Sequence, residues 1–230
     1  MTSLGYFGLS CVPYSTTTAL SYPSSFSNSL AVGACTDCDR RSNYSQYGTG
    51  LEFVAPSNGG YNDVPSLDPS GSIGWTTGDY MMQFGGTSCA CPEAAGIAAL
   101  VLSVNPNLTR NQVRYLMRKN CDKIGGVTYS GGDTGCGGWN TYYGYGRLNA
   151  YQIVSNIPAS ESVSTPTNIA GTAIAIVGKS ASFSASDSLS NLGDTPIEYR
   201  FDWGDGATSV WGPASQTYIW SRSGTFALKC

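Results

Sequence analysis

Apolar positions along the chain fall into two regimes. Over residues 21–155, short apolar runs alternate with stretches of helical period. SLAVGAC (29–35) and LEFVAPS (51–57) are continuous runs closed by turn residues, which predicts short buried strands. The polar, Tyr-rich residues 43–50 link them. GGTSCACPEAAGIAALVLSV (85–104) predicts a long helix. Thr87 or Ser88 can cap it, Pro92 falls in its first turn, and Glu93 lies near the positive end of its dipole. Ala94, Ala95, Gly96, Ala98 and Ala99 leave a smooth packing surface. LTRNQVRYLMRKNC (108–121) predicts a second helix capped by Thr109, with Val113, Leu116 and Met117 at core spacing. A Gly-rich excursion (125–138), TYYGYGRLNA (141–150) and a short helix through Tyr151, Ile153 and Val154 follow.

Beyond IPASESVSTPTN (157–168), a Pro-, Ser- and Thr-rich linker, the period becomes two. In IEYRFDWGDG (197–206), Tyr199, Phe201 and Trp203 alternate with Glu198, Arg200 and Asp202, as in a half-buried strand, and GDG turns it into the next. ASFSAS (181–186), QTYIW (216–220) and GTFALKC (224–230) add short strands, a spacing that suits a small sandwich. No internal repeat relates the two regimes.

Composition narrows the possible roles. Charged residues are 12% of 230 and the net charge is -3, so there is no basic field for nucleic acid. The longest apolar run, 97–104, is too short for a bilayer. Eight cysteines point to an oxidising, extracellular setting, with 105 possible complete pairings. Cys35 with Cys38 and Cys121 with Cys136 are feasible loops, while Cys89 and Cys91 suit buried free thiols. No basic residue precedes Arg40, and the first twenty residues have no signal-peptide pattern. The expectation is a secreted protein whose true beginning is missing.

Ser88 carries the candidate chemistry. A hydroxyl where a helix begins lies beside unpaired N–H groups and a positive dipole end, a place for an oxyanion. The ordinary alternative is an N-cap. GGTSCACPEAAGIAAL (85–100) resembles the nucleophile segment of subtilisin-like serine proteases, and four collinear stretches extend the resemblance. These are YPSSFSNSLAVGA (22–34), SQYGTGLEFVAPS (45–57), NPNLTRNQVRYLM (105–117) and YGYGRLNA (143–150), the last resembling the family's closing helix. The resemblance implies that Ser88 is the acyl-enzyme nucleophile and that its backbone N–H forms part of the oxyanion hole. It implies that Tyr22, Pro23, Ser24, Gly86 and Thr87 bind a polypeptide substrate.

The family's Asp-Thr-Gly and His-Gly-Thr-His motifs and its oxyanion Asn do not occur, and the chain has no histidine. Asp79 and Asp133 have the wrong order and context to replace the Asp. Nothing brings Lys119 or Lys123 to Ser88, and a serine-carboxyl variant of the fold fits no better. The expected fold is α/β, a subtilisin-like three-layer parallel sheet with its N-terminal half missing, plus a small all-β immunoglobulin-like sandwich. Residues 1–156 would be the peptidase part (1–14 unmatched), 157–168 the linker, and 169–230 a unit resembling a PKD-type domain, incomplete at its C-terminus.

The function implied is that of a fragment of a secreted serine endopeptidase, inactive alone. The alternative is a non-catalytic binding module. No cofactor is needed for the chemistry. Structural calcium is conceivable at Asp202 and Asp205, although turn roles suit them better. Trp211 and Trp220 could face a protein or polysaccharide partner, with core packing the more ordinary role. No nucleic acid or membrane is expected as partner. Unpaired strand edges in a half-domain predict poor solubility.

Overall fold

The computed structural model describes residues 20–230, so the reading of 1–14 as unmatched lies outside the described residues. The chain divides into two compact units, Met1–Ile157 and Pro158–Cys230.

In the first unit, β1 (Ala31–Cys35) and β2 (Leu51–Pro56) form where the two apolar runs were read. They pair in parallel, with Ala34 opposite Ala55, and bury nearly every side chain, as a strand covered on both faces must. The other edge of β2 is closed by residues 144–148. Tyr145 N–H donates to Glu52 O (2.7 Å), Val54 N–H to Gly146 O (2.9 Å) and Leu148 N–H to Val54 O (2.9 Å). Thus 143–149, expected as part of a closing helix, runs beside β2. Two parallel strands and this bridged edge stand where a wider sheet was expected. A separate antiparallel hairpin, β3 (Val64–Leu67) and β4 (Tyr80–Phe84), was not foreseen.

Helix α1 (Thr87–Val104) packs on β1 and β2. Its length and mean hydropathy of 1.5 would suit a membrane span, more than the short apolar run suggested. Yet Ala90, Ala94 and Val101 are buried in the unit, while Leu100, Leu102 and Val104 are exposed. Gly86, with φ of 76°, is the N-cap in place of Thr87 or Ser88; Pro92 lies inside the helix and no acidic residue occupies its first turn.

Helix α2 (Arg110–Lys119) begins with a reciprocal cap: Gln112 N–H donates to Thr109 Oγ1 (3.3 Å) and Thr109 N–H to Gln112 Oε1 (2.9 Å). Val113, Leu116 and Met117 are buried as their spacing predicts. Helix α3 (Ala150–Ser155) is capped by Asn149 and buries Ile153. Across β2 and α2, the buried Glu52 accepts from Arg118 Nε (2.5 Å) and Nη2 (2.7 Å) and from Arg114. Arg118 also pairs with Asp133.

In the second unit, β5 (Asn168–Gly171), β6 (Ala181–Ser186) and β7 (Ser215–Tyr218) form one antiparallel sheet in that order. Residues 197–212 do turn at GDG, with Trp203 N–H on Ala207 O (3.0 Å), but isolated bridges join them instead of a continuous ladder. Their alternation holds: Phe201 and Trp203 are buried and pack with Phe183 and Trp220. Phe201 stacks on Trp203 at 5.2 Å between centroids, and Trp203 on Tyr218 at 4.7 Å. Trp220 is core as expected, whereas Trp211 is 61% exposed.

The seven cysteines among the described residues are free thiols. The pairs Cys35–Cys38 and Cys121–Cys136 are therefore not bonded. Burial pushes Cys35 and Cys121 up to about 12 and Cys136 up to about 11.

Candidate active site

The carboxyl end of β2 is where a parallel sheet opens toward a ligand. Ser57 and Asn58 follow it directly and reach across to the loop before α1. Asn58 Oδ1 accepts from Gly86 N–H (2.9 Å), and Ser57 Oγ donates to Gly86 O (2.8 Å). The Tyr44 hydroxyl completes the latch, 2.6 Å from Asn58 Oδ1 and 2.9 Å from Ser57 Oγ. Gly85 lets Asn58 in: a Cβ there would stand 2.0 Å from Asn58 Cγ. Gly86 at φ 76° and ψ 173° takes a conformation open essentially to glycine alone.

This latch leaves Ser88 in the first turn of α1 with no capping duty. Its side chain is half-buried, and its hydroxyl has no hydrogen-bond partner among the described residues. In that first turn Cys89 N–H donates back to Gly86 O (3.0 Å), and the helix dipole adds positive potential. An oxyanion can be held here. Proton removal is another matter. Glu93, one turn on, is engaged by the Cys89 thiol (3.6 Å) and its carboxyl is raised by burial. Burial and Glu93 together push the Cys89 thiol up to about 12. Lys123 donates to the carbonyls of Cys136 (3.0 Å), Gly138 (3.1 Å) and Tyr145 (2.6 Å), and Lys119 lies over the Tyr115 ring. Asp133 is paired with Arg118, and Asp79 closes the β3–β4 loop through its carbonyl. None of these reaches Ser88.

Of the other sequence-predicted residues, Tyr22 is 80% exposed, Ser24 is buried with Oγ donating to Ser21 O (2.7 Å), and Thr87 is buried beside Gly86. Ser21 anchors the segment of Tyr22, Pro23 and Ser24 to Gln46 (3.2 Å). No hydrogen bond among the described residues joins that segment to Ser88. Sequence reasoning missed Tyr44, Ser57 and Asn58; their one signal is a polar pair placed straight after the apolar run ending in Ala55-Pro56.

The carboxylates of Asp202 and Asp205 are engaged by their own turns. Asp202 Oδ1 accepts from Gly204 N–H (3.0 Å), and Asp205 accepts from Ala207 N–H (3.0 Å) and the Tyr218 hydroxyl (2.8 Å). Among the described residues no three His, Cys, Asp or Glu side chains gather as a metal site.

Comparison with known proteins identifies the family of the sequence. The sequence pattern of the Subtilase family (peptidase S8) matches residues 14–146. A calcium-dependent protease of Trichormus variabilis is 41% identical over 143 residues, covering 56% of this chain and 21% of that protein. A cell wall-associated protease of Bacillus subtilis is 33% identical over 172 residues, covering 67% of this chain and 18% of that protein. Among solved structures, a lanthipeptide protease superposes with a TM-score of 0.46 at 25% identity, covering 58% of this chain and 43% of the other. The chain thus spans about a fifth of the length of the two protease relatives. Because the family pattern extends over more than half of its residues and takes in the Gly86–Ser88 loop, the chain belongs to the subtilase family.

Proposed function

We propose that this chain is the nucleophile-bearing part of a secreted subtilisin-like serine endopeptidase, and that Ser88 forms the acyl-enzyme. The observation that carries this reading is the unengaged Ser88 hydroxyl behind a glycine cap, in the first turn at the positive end of the helix dipole. Tyr22, Pro23, Ser24 and Gly86 would line the path of the polypeptide, with Thr87 buried behind them. Acylation requires a base, and the chain contains no histidine. The 230 residues alone are therefore inert toward peptide bonds. In subtilisin itself, where it has been measured, loss of the histidine lowers turnover by about 10⁶.

The test is hydrolysis of a chromogenic peptide. The chain alone turns over no faster than its Ser88→Ala variant. Co-expressed with a polypeptide bearing the Asp-Thr-Gly and His-Gly-Thr-His motifs, it gains hydrolysis that Ser88→Ala abolishes. Hydrolysis that survives Ser88→Ala, or no gain on co-expression, overturns the reading.

One observation favours an accompanying binding role for a PKD-like, immunoglobulin-like second unit. A cleft of about 550 Å³ there is lined by Tyr199, Trp211, Glu161, Asp194 and Arg200 among others, with the Trp211 ring exposed. Aromatic faces beside carboxylates suit a polysaccharide or protein ligand. Trp211→Ala should abolish retention on whichever ligand binds, and unchanged retention removes this role.

A further inference from the structure

The β3–β4 hairpin runs straight into the Gly85–Gly86 loop, yet it presents an apolar surface. Leu67 and Tyr80 are cross-strand partners, 80% and 64% exposed. Ile73 and Trp75, on the loop between the strands, are each 85% exposed. That loop is tightly built. Asp68 N–H donates to Asp79 O (2.9 Å), closing its base, and the Asp68 carboxylate accepts from Trp75 N–H (3.1 Å) and Thr76 N–H (2.7 Å). Thr76 Oγ1 donates to Tyr80 O (3.0 Å). Gly74 lets the carboxylate tuck in, since a Cβ there would lie 2.6 Å from it. Ile73 and Trp75 are thereby held outward on a preformed frame. Large apolar side chains fixed in water are what contact hot spots require, and preorganisation lowers the ordering cost of binding. Asp63 and Asp79 are exposed, and the segment 42–109 that carries the hairpin contains no Lys or Arg of its own.

We propose that this hairpin is a docking surface for the polypeptide substrate, taking an extended segment in which large apolar side chains alternate with basic ones. It rests on the reading of Ser88 as a nucleophile that acts on polypeptides. The partner is chosen by chemistry: apolar groups for Leu67, Ile73, Trp75 and Tyr80, and cations for the two carboxylates.

The test is binding without catalysis. A dye-labelled decapeptide with Leu at every second position and Lys between is titrated into the 230-residue chain and followed by anisotropy. Binding should weaken at least tenfold in Ile73→Ser/Trp75→Ser and several-fold when Glu replaces Lys in the peptide. It should be unchanged in Ser88→Ala, so a failed nucleophile reading leaves this result standing and the reverse also holds. Leu67→Ser/Tyr80→Ser, on the strands, gives the same loss should the loop variant fold poorly. No binding, equal binding by both double variants, or equal binding of the Glu peptide overturns the proposal. Self-association lost in the loop variant, or uptake onto phosphatidylcholine vesicles lost in it, overturns it in favour of a second copy or a lipid surface.

Discussion

Changing Glu52 to Gln leaves two guanidinium groups, of Arg114 and Arg118, facing a neutral amide in the interior of the first unit. Glu52 is only 3% exposed, so water cannot replace the lost charge, whereas the arginines are 25% and 12% exposed and keep partial hydration. Removing one partner of a buried ion pair costs about 3–5 kcal/mol, and the partial exposure of the arginines argues for about 3. For a unit of this size that corresponds to a fall of about 6–12 °C in melting temperature. Replacing the buried cluster, Glu52→Met with Arg114→Met and Arg118→Leu, removes its three charges together and leaves only Asp133, 53% exposed and hydrated, without its Arg118 partner. It should melt within about 1 kcal/mol of the parent. Differential scanning calorimetry of the first unit's transition reads both. High salt should change little, because ions do not screen a buried pair well. If Glu52→Gln melts within 2 °C of the parent (~1 kcal/mol or less), or if the triple variant falls as far as the single, the cluster does not act as argued.

Other outcomes test other parts. Asn58→Ala takes the acceptor from Gly86 N–H and should lower stability by about 1–2 kcal/mol in a thermal melt; Asn58→Asp should restore most of it. Gly86→Ala forces a side chain into a glycine-only conformation and should cost about 1–3 kcal/mol by denaturant titration. For Asp68, burial works to raise the carboxyl, but the Trp75 and Thr76 amides outweigh it and hold it below the ordinary carboxylate range. A depressed folded pKa means the loop's order is complete above the ordinary carboxylate value and is lost as pH falls through the lower one. The emission shift of Trp75, taken as parent minus Trp75→Phe, should therefore begin below about pH 3.9 and not above it. Iodoacetamide at pH 8 should alkylate exposed Cys38 and spare Cys35, Cys121 and Cys136 until denaturant is added, as peptide mass mapping will show.

Much of the first unit was legible because its elements are periodic or continuous. Ala31–Cys35 and Leu51–Pro56 are unbroken apolar runs, and Val113, Leu116 and Met117 repeat at helical spacing behind a Thr-x-x-Gln cap. The hairpin was not legible. Val64-Pro65-Ser66-Leu67 is short, contains proline and exposes half of its residues, so it carries no core pattern to detect. Tyr143 to Asn149 read as a helix approach, but glycines at 144 and 146 take positive φ and let the chain lie against β2. The Gly-Thr-Ser helix start was legible from its local motif; the latch before it was not. Tyr44 and Asn58 meet through side chains 14 positions apart, and no local periodicity encodes such a meeting. In the second unit, alternation placed Phe201 and Trp203 inward correctly, whereas Trp211 follows Val210 and both point to water.

The closure of β2 by residues 144–148 sets an order on synthesis. The Trp139 indole reaches the Leu51 carbonyl across 88 positions, and the bonds from 144–148 to β2 lie just beyond it. While a ribosome makes both long helices, the nascent first unit holds β2 with one bare edge. Such edges recruit other chains. A premature stop ahead of residue 144 should therefore yield inclusion bodies, while a stop at 157 completes the seam.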